Sequence, residues 1–408
     1  MPRWFQADAA ATLADRVRDS YVPSQSEKPA NCFLTQPDRG HMAYLEVLEH
    51  REVYRNPHAN LRSEYVAFPS IQVLPDDTLL CMCRHASARE SDDGVVVIHR
   101  SADGGVTWER AGDLPEPPDA GVGWRLPSGF GVTAQGEAIA CVRYPGSQGS
   151  DGQLVARSRD RGDTWSPLDP IDSAPFDRMG PGGNLVTMAD GTLIAAGEWG
   201  EERDDDEPPD WAATITRSQD GGHSWESWRR IQGPADTGLY FFDLRLARLA
   251  DDRLLAAFWT HDLTKDEGVN VHTSFSLDAG ATWSDPRDAG FWGQVTDIHG
   301  LQSGRVIAVT NHRREPMGVR AVLSDDGGAS FAEEHHVELW GIEPARVRNA
   351  PVLSKKRDLV ESVLDSYHHF TFGTPSVTQL ADGTIVAAFY VTEKHVTYVR
   401  CCRMAERD

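Results

Sequence analysis

The pattern Ser-x-Asp-x-Gly-x-x-Trp, with Phe as its one variant ending, occurs five times: SADGGVTW from Ser101, SRDRGDTW from Ser158, SQDGGHSW from Ser218, SLDAGATW from Ser276 and SDDGGASF from Ser324. Self-similarity at a spacing of roughly 50 to 60 residues, with strand-rich sequence between copies, restricts the chain to a radial repetition of small sheets. In each copy the Asp and Ser side chains are expected to bind nearby backbone N–H groups while a Gly takes a left-handed conformation. The closing aromatic then buries its ring between sheets.

A second repeat sets the count. A shorter hairpin signal precedes each copy, in LPDDTLL at Asp76, AQGEAI at Gln135, ADGTLI at Asp190, ADDRLL at Asp251 and QSGRVI at Ser303, and another, ADGTIV at Asp382, stands alone. Six such hairpins flanked by apolar runs predict an all-β chain of six four-stranded blades. The last blade shows only three strands, ending at HVTYVRCCRM. A ring with open edges is exposed to edge pairing, so YLEVLEHREVYR from Tyr44 is expected to supply the missing outer strand and tie the two ends of the chain together. The reading is one propeller over residues 44–404, an N-terminal extension over 1–43 with a short helix across Asp8–Ser20, and an insertion over 332–371. Within that insertion Leu359, Val363 and Tyr367 recur at helical spacing, and the simplest role for the helix is packing against the ring.

The five copies are Asp-boxes, and the chain resembles the β-propellers of the sialidase superfamily over most of residues 65–404. The resemblance implies that the first strand of each blade (A) runs to the A–B turn and that strand B returns. It also implies that the Asp-boxes are structural and lie on the far face. Site residues then come from the starts of A strands, the ends of B strands and the loops beyond them, at one mouth of the ring.

A formal charge of −22 argues against nucleic acid or an anionic membrane surface as partner, though a local arginine cluster can still take an acidic sugar. The run EERDDD from Glu201 reads as a solvated loop. With no membrane-length apolar stretch and no signal segment at Met1, the chain as given is expected in the cytoplasm, or outside the cell if a leader was removed. The six cysteines carry no metal signature and are read as free buried thiols, so neither metal nor cofactor is expected.

Counting eight residues on from each A–B turn reaches Arg84, Arg143, Glu198, Trp259, Asn311 and Tyr390, none of them a simple aliphatic. Just beyond stand His85, Tyr144, Trp199, His261, Asp262, His312, Arg313 and Glu393, and eight residues before the fourth turn stands Asp243. Position by position, the arginine that the resemblance places ahead of the first A–B turn falls on Ala67 or Phe68, with Pro69 retained. The helper glutamate falls on Asp243, a further arginine on Trp259 and the tyrosine nucleophile on Thr374, and the stretch GQVTDIHG holds no arginine. The arginine clamp and tyrosine nucleophile therefore do not carry over, and true sialidase activity is not expected.

The residues left form a site of another kind. Glu198 with Asp243 or Asp262 is the carboxylate pair that glycoside hydrolysis requires, one acid protonated and the other ionised. Arg84 and Arg143 suit a carboxylate or sulfate through paired hydrogen bonds, and His85, Tyr144, Trp199, Trp259, His312, Arg313 and Tyr390 complete the substrate surface. The first reading is thus a sialidase-like glycoside hydrolase acting on an acidic sugar unit. The second is a lyase in which Arg84 and Arg143 neutralise a uronate while Tyr144, His85 or His312 takes the proton. The third is a carbohydrate-binding propeller without catalysis.

Overall fold

A computed structural model of the chain describes residues 43–89, 91–116, 125–145, 151–176, 183–201, 210–233, 237–342 and 371–408. The expected helices over Asp8–Ser20 and around Leu359–Tyr367 lie outside the described residues. A 3-10 turn spans Glu333–His335.

Strand β1 (Tyr44–Tyr54) precedes a run of β2 (Tyr65–Val73), β3 (Leu79–Ala86), β4 (Val95–Ser101) and β5 (Glu109–Asp113). Next come β6 (Leu126–Val132), β7 (Ala138–Pro145), β8 (Asp151–Ser158) and β9 (Asp169–Ile171), then β10 (Leu185–Thr187), β11 (Leu193–Glu201), β12 (Asp210–Ser218) and β13 (Arg229–Gln232). The fourth run is β14 (Leu239–Arg248), β15 (Leu254–Asp262), the short β16 (Glu267–Gly268), β17 (Asn270–Ser276) and β18 (Arg287–Trp292). It is followed by β19 (Thr296–Gly300), β20 (Val306–His312), β21 (Gly318–Ser324) and β22 (Val337–Gly341), and last by β23 (Phe372–Gln379), β24 (Ile385–Glu393) and β25 (Val396–Arg407). Each run is an antiparallel meander, and the first and last share one eight-stranded sheet through a single parallel pair, Tyr65 with Thr397.

The ends of the chain close on each other as the edge argument requires. β1 lies antiparallel to β25 from Tyr44 opposite Arg407 to Tyr54 opposite Val399. One expected boundary moves: Val337–Gly341, assigned to the 332–371 insertion, is the outer strand β22, because Val319 and its neighbours on β21 offer an unpaired edge there.

The opening strand of each meander touches the next around a circle: β2 against β6, β6 against β10, β10 against β14, β14 against β19, β19 against β23, and β23 against β2. The arrangement is propeller-like, and these strands enclose an axial cavity of about 230 Å³ that Ser70, Asn184, Asp297 and Ser376 help to line. Between sheets lie dry apolar layers such as Leu80, Ile98, Phe130 and Ala140, whose burial is the main source of stability.

Both repeats do what their chemistry predicts. In all five Asp-boxes the Ser Oγ accepts the N–H of the second Gly position at 2.8–2.9 Å and donates to the Asp carboxylate. That glycine is left-handed in each, and a Cβ on Gly162 would press on Ile98 of the preceding sheet. Trp108, Trp165, Trp225 and Trp283 donate their indole N–H to the same glycine's carbonyl, which orients each ring into an intersheet layer. The A–B turns also share one pattern: Leu74 N–H bonds the Thr78 carbonyl, and Leu380 N–H bonds the Thr384 carbonyl.

Candidate active site

The opening strands carry one-residue bulges near their starts, between Ala67 and Ser70, Pro127 and Gly129, Phe242 and Arg245, and Gly373 and Ser376. At three of these a side chain sits on left-handed backbone: Phe68 (φ 57°), Asp243 (φ 49°) and Thr374 (φ 45°). Such backbone costs on the order of 1–3 kcal/mol and persists where surrounding structure enforces it, commonly at functional sites. Opposite the bulges stand the residues found by counting from the turns. Ala67 pairs with Arg84, Leu126 with Arg143, Phe242 with Trp259 and Gly373 with Tyr390. Asn311 exchanges backbone bonds with Gln294 and Val295. The counting rule therefore found one structural level of the ring.

Glu198 and Asp243 meet there. The Asp243 backbone N–H, turned by the bulge, donates to Glu198 Oε1. Glu198 is buried at 5% exposure, and the Asp243 side chain keeps 21% of its surface open. Burial pushes the Asp243 carboxyl up, against the opposing pull of Arg245 and Arg313. Arg245 Nη2 stands 3.9 Å from Asp243 Oδ1. The same guanidinium acts on Asp297, whose carboxyl burial drives up to about 6 although Val377 N–H donates to its Oδ2 at 2.7 Å. Its Oδ1 has no hydrogen-bond partner among the described residues.

Arg313 donates to Gln294 Oε1 at 2.7 Å and to the Phe372 carbonyl at 3.0 Å. Beside it Asn311 is wholly buried, and neither its Oδ1 nor its Nδ2 has a partner among the described residues. A buried amide left unmade costs about 1–3 kcal/mol. Tyr390 faces Tyr65 and Phe68 with ring centres 6.2 and 5.7 Å away, forming an aromatic wall next to Gly373.

Several expected substrate contacts turn out to be occupied by the fold. Arg84 donates from Nη1 to the carbonyls of Ala88 (3.2 Å) and Arg89 (2.9 Å), and from Nη2 to that of Ser91, so it organises its own loop. His85 points into the interior, with Nδ1 3.0 Å from Glu64 Oε1 and Nε2 3.1 Å from His99 Nε2, because alternation along β3 places it on the face opposite Arg84. Burial lowers both imidazoles, His99 to about 3. The Tyr144 hydroxyl donates to the Pro115 carbonyl at 3.2 Å within an intersheet layer. His312 Nδ1 lies 2.9 Å from the Arg314 carbonyl and 3.2 Å from that of Pro316, which holds the following loop.

Asp262 is a cap. It accepts from Thr264 N–H (2.9 Å), Thr264 Oγ1 (2.7 Å) and Lys265 N–H (3.1 Å), and pairs with Lys265 Nζ at 2.8 Å. Trp259 is buried with its ring 5.2 Å from Phe242. Arg143 is half-buried at the same level of the ring. The backbone of Trp199 pairs with Ala212, and its side chain lies outside the described residues.

Residues 130–385, well over half of the chain, match the BNR repeat-like domain. The chain belongs to that family. No curated protein matches its sequence. Among solved structures it is similar to a protein of unknown function from Dyadobacter fermentans, with 16% identity, 89% of this chain and 99% of that one covered, and a TM-score of 0.66. A mutant of the NanB sialidase from Streptococcus pneumoniae gives 12% identity, 87% and 70% coverage and a TM-score of 0.60. The α-L-arabinanase of Penicillium chrysogenum, complexed with arabinobiose, gives 14%, 88% and 98%, and 0.58. At these identities the likeness is one of fold.

This BNR-repeat chain thus keeps the frame while its mouth holds Ala67, Trp259 and Thr374 at the positions discussed above. Counting from the turns missed Arg245, Gln294 and Asp297. Arg245 lies two residues from Asp243, but the bulge between Phe242 and Arg245 breaks the two-residue period there, so alternation could not place it. Asp297 had no sequence signal, since only the packing of β19 against β23 buries it.

Proposed function

We propose that this protein is a glycoside hydrolase built as six four-stranded blades, the eight-stranded sheet counting as two, and that it acts on an acidic sugar unit at the mouth of the ring. Asp243 serves as general acid and Glu198 as the ionised partner carboxylate. The observation that carries this reading is the joining of the two: Glu198 Oε1 accepts the Asp243 N–H at a left-handed bulge, between Arg245 and Arg313. A glycosidic oxygen needs a proton from an acid kept neutral, which burial of the Asp243 carboxyl favours, and an ionised carboxylate to act as nucleophile or to activate water. Arg245 and Arg313 make this part of the mouth electropositive, a setting for the carboxylate of an acidic sugar. Tyr65 and Phe68, half-buried beside Tyr390, offer apolar faces for the ring. The family membership and the sialidase and arabinanase folds support a carbohydrate substrate. The lyase reading loses support, because Tyr144, His85 and His312 are engaged by Pro115, Glu64 and the Arg314 loop.

The test is mass spectrometry of products after incubation with sialosides, uronides, arabinans and acidic polysaccharides, run beside Glu198→Gln and Asp243→Asn. Products carrying one added water, lost in both variants, are expected. Unsaturated products formed equally by all three proteins would move the assignment to a lyase, and binding without turnover would make the protein a carbohydrate-binding module.

A further inference from the structure

A second cluster, apart from the mouth, lies in the flank of the first meander. Cys83 and His85 alternate along β3 and so project from one face, and His99 on the neighbouring β4 stands opposite Cys81 in register, diagonal to Cys83. Their ligating atoms, Cys83 Sγ, His85 Nε2 and His99 Nε2, all lie within 4.8 Å of one another, and all three residues are buried. We propose that Cys83, His85 and His99 form a zinc site that fastens the closure of the ring.

Three observations carry this. The first is spacing. A tetrahedral zinc ion with Zn–S of about 2.3 Å and Zn–N of about 2.0–2.1 Å sets its sulfur and nitrogen ligands roughly 3.5 Å apart and two nitrogens roughly 3.4 Å apart. Here Cys83 Sγ is 3.5 Å from His85 Nε2, and the two Nε2 atoms are 3.1 Å apart.

The second is the surrounding shell. His85 Nδ1 is 3.0 Å from Glu64 Oε1, the carboxylate contact that metal-bound histidines commonly use to fix their tautomer and leave Nε2 as a lone-pair donor. Tyr54 donates to the other oxygen of Glu64 at 2.9 Å, and its ring lies 4.7 Å from His85 and 5.3 Å from His99. The donor set, one thiolate and two imidazoles from buried residues, suits zinc among the common divalent ions. Three protein ligands leave the fourth position to water.

The third is location. Tyr54 ends β1, which belongs with β25 at the end of the chain, while Glu64 precedes β2. An ion held by β3 and β4 and gripped through Glu64 and Tyr54 ties β1, at the seam where the first and last meanders join, to the strands of the first meander within their shared sheet. Zinc bound only by the folded chain then stabilises it in proportion to the logarithm of its free concentration.

The full-length protein, stripped with a chelator and reloaded with Zn²⁺, is expected to bind one equivalent per chain by elemental analysis and to melt at a higher temperature. Loading with Co²⁺ should produce the d–d absorption of a tetrahedral site together with a thiolate-to-metal charge-transfer band. Cys83→Ser and His99→Gln should lose the ion, while Cys141→Ser, which alters a buried cysteine elsewhere, should keep it. Stoichiometry well below one equivalent in excess zinc, a cobalt spectrum without the thiolate band, or full retention by Cys83→Ser would each overturn the proposal. The cobalt spectrum of the unaltered protein decides the matter even if the variants do not fold.

Discussion

Asp262 separates a catalytic acid from a structural one, and its replacement by Asn has a size and a pH dependence that can be worked out. Burial alone would raise its carboxyl. The Lys265 ammonium, the Thr264 hydroxyl and two backbone N–H groups outweigh burial and hold it at about 2, against an ordinary 3.8. At about 1.4 kcal/mol per pKa unit the shift corresponds to ~2.5 kcal/mol favouring the ionised folded form. Lys265 stands 61% exposed, so solvent screens its share and about 1–2 kcal/mol is the expected net cost of Asp262→Asn at neutral pH. The sign follows from a depressed folded pKa: the contribution is complete above roughly pH 4, the unfolded value, and is lost as pH falls through about 2. Urea unfolding of both proteins at pH 7 and at successively lower pH should show the gap narrowing below pH ~4. Turnover of whichever glycan proves to be the substrate should stay within about twofold. A fall in kcat of a hundredfold or more with stability unchanged would refute the capping role and return Asp262 to the carboxylate pair.

Other outcomes follow from the same structure. Asp243→Asn should lower kcat by roughly 10²–10⁴ while leaving the melting temperature close to that of the parent, as steady-state kinetics beside calorimetry will show. Asn311→Ala removes a wholly buried amide without partners among the described residues, so stability should hold or rise, as chemical denaturation will show. Asp220→Ala deletes the acceptor of bonds from Ser218 Oγ, His223 N–H and the Ser224 hydroxyl and N–H; chemical denaturation should report a loss of about 1–2 kcal/mol with activity intact. Removing residues 1–54 strips β1 from β25 and leaves a long open edge, so light scattering should reveal association that the full chain does not show.

The fold was legible because its signals are local. A Ser, an Asp and a left-handed Gly within a few residues bind one another's backbone wherever they occur, so five Asp-boxes and the A–B turns could be read without knowing what packs around them. The level at which the second strands end was legible too, since strands of similar length starting from similar turns end at similar depth, and counting placed Arg84, Arg143, Trp259 and Tyr390 opposite the starts of the opening strands. The direction of a side chain at that level was not. Arg84 and His85 are neighbours in sequence, yet one turns to the loop carbonyls of Ala88 and Arg89 and the other into the flank against Glu64 and His99.

The sequence by itself determined the class of architecture, the closing partner for the last sheet and the ring on which a site is built, because these depend on turn chemistry and strand period. Only the tertiary structure decided which polar groups are spent on the fold and which remain for a ligand. Three bulges set Phe68, Asp243 and Thr374 on left-handed backbone and break the alternation that sequence reading relies on. Arg245 acts on the Asp297 carboxyl from a neighbouring opening strand, a meeting that no sequence interval encodes. The charge state of a carboxylate and the freedom of a donor depend on burial and on what stands opposite, and both are properties of the assembled ring.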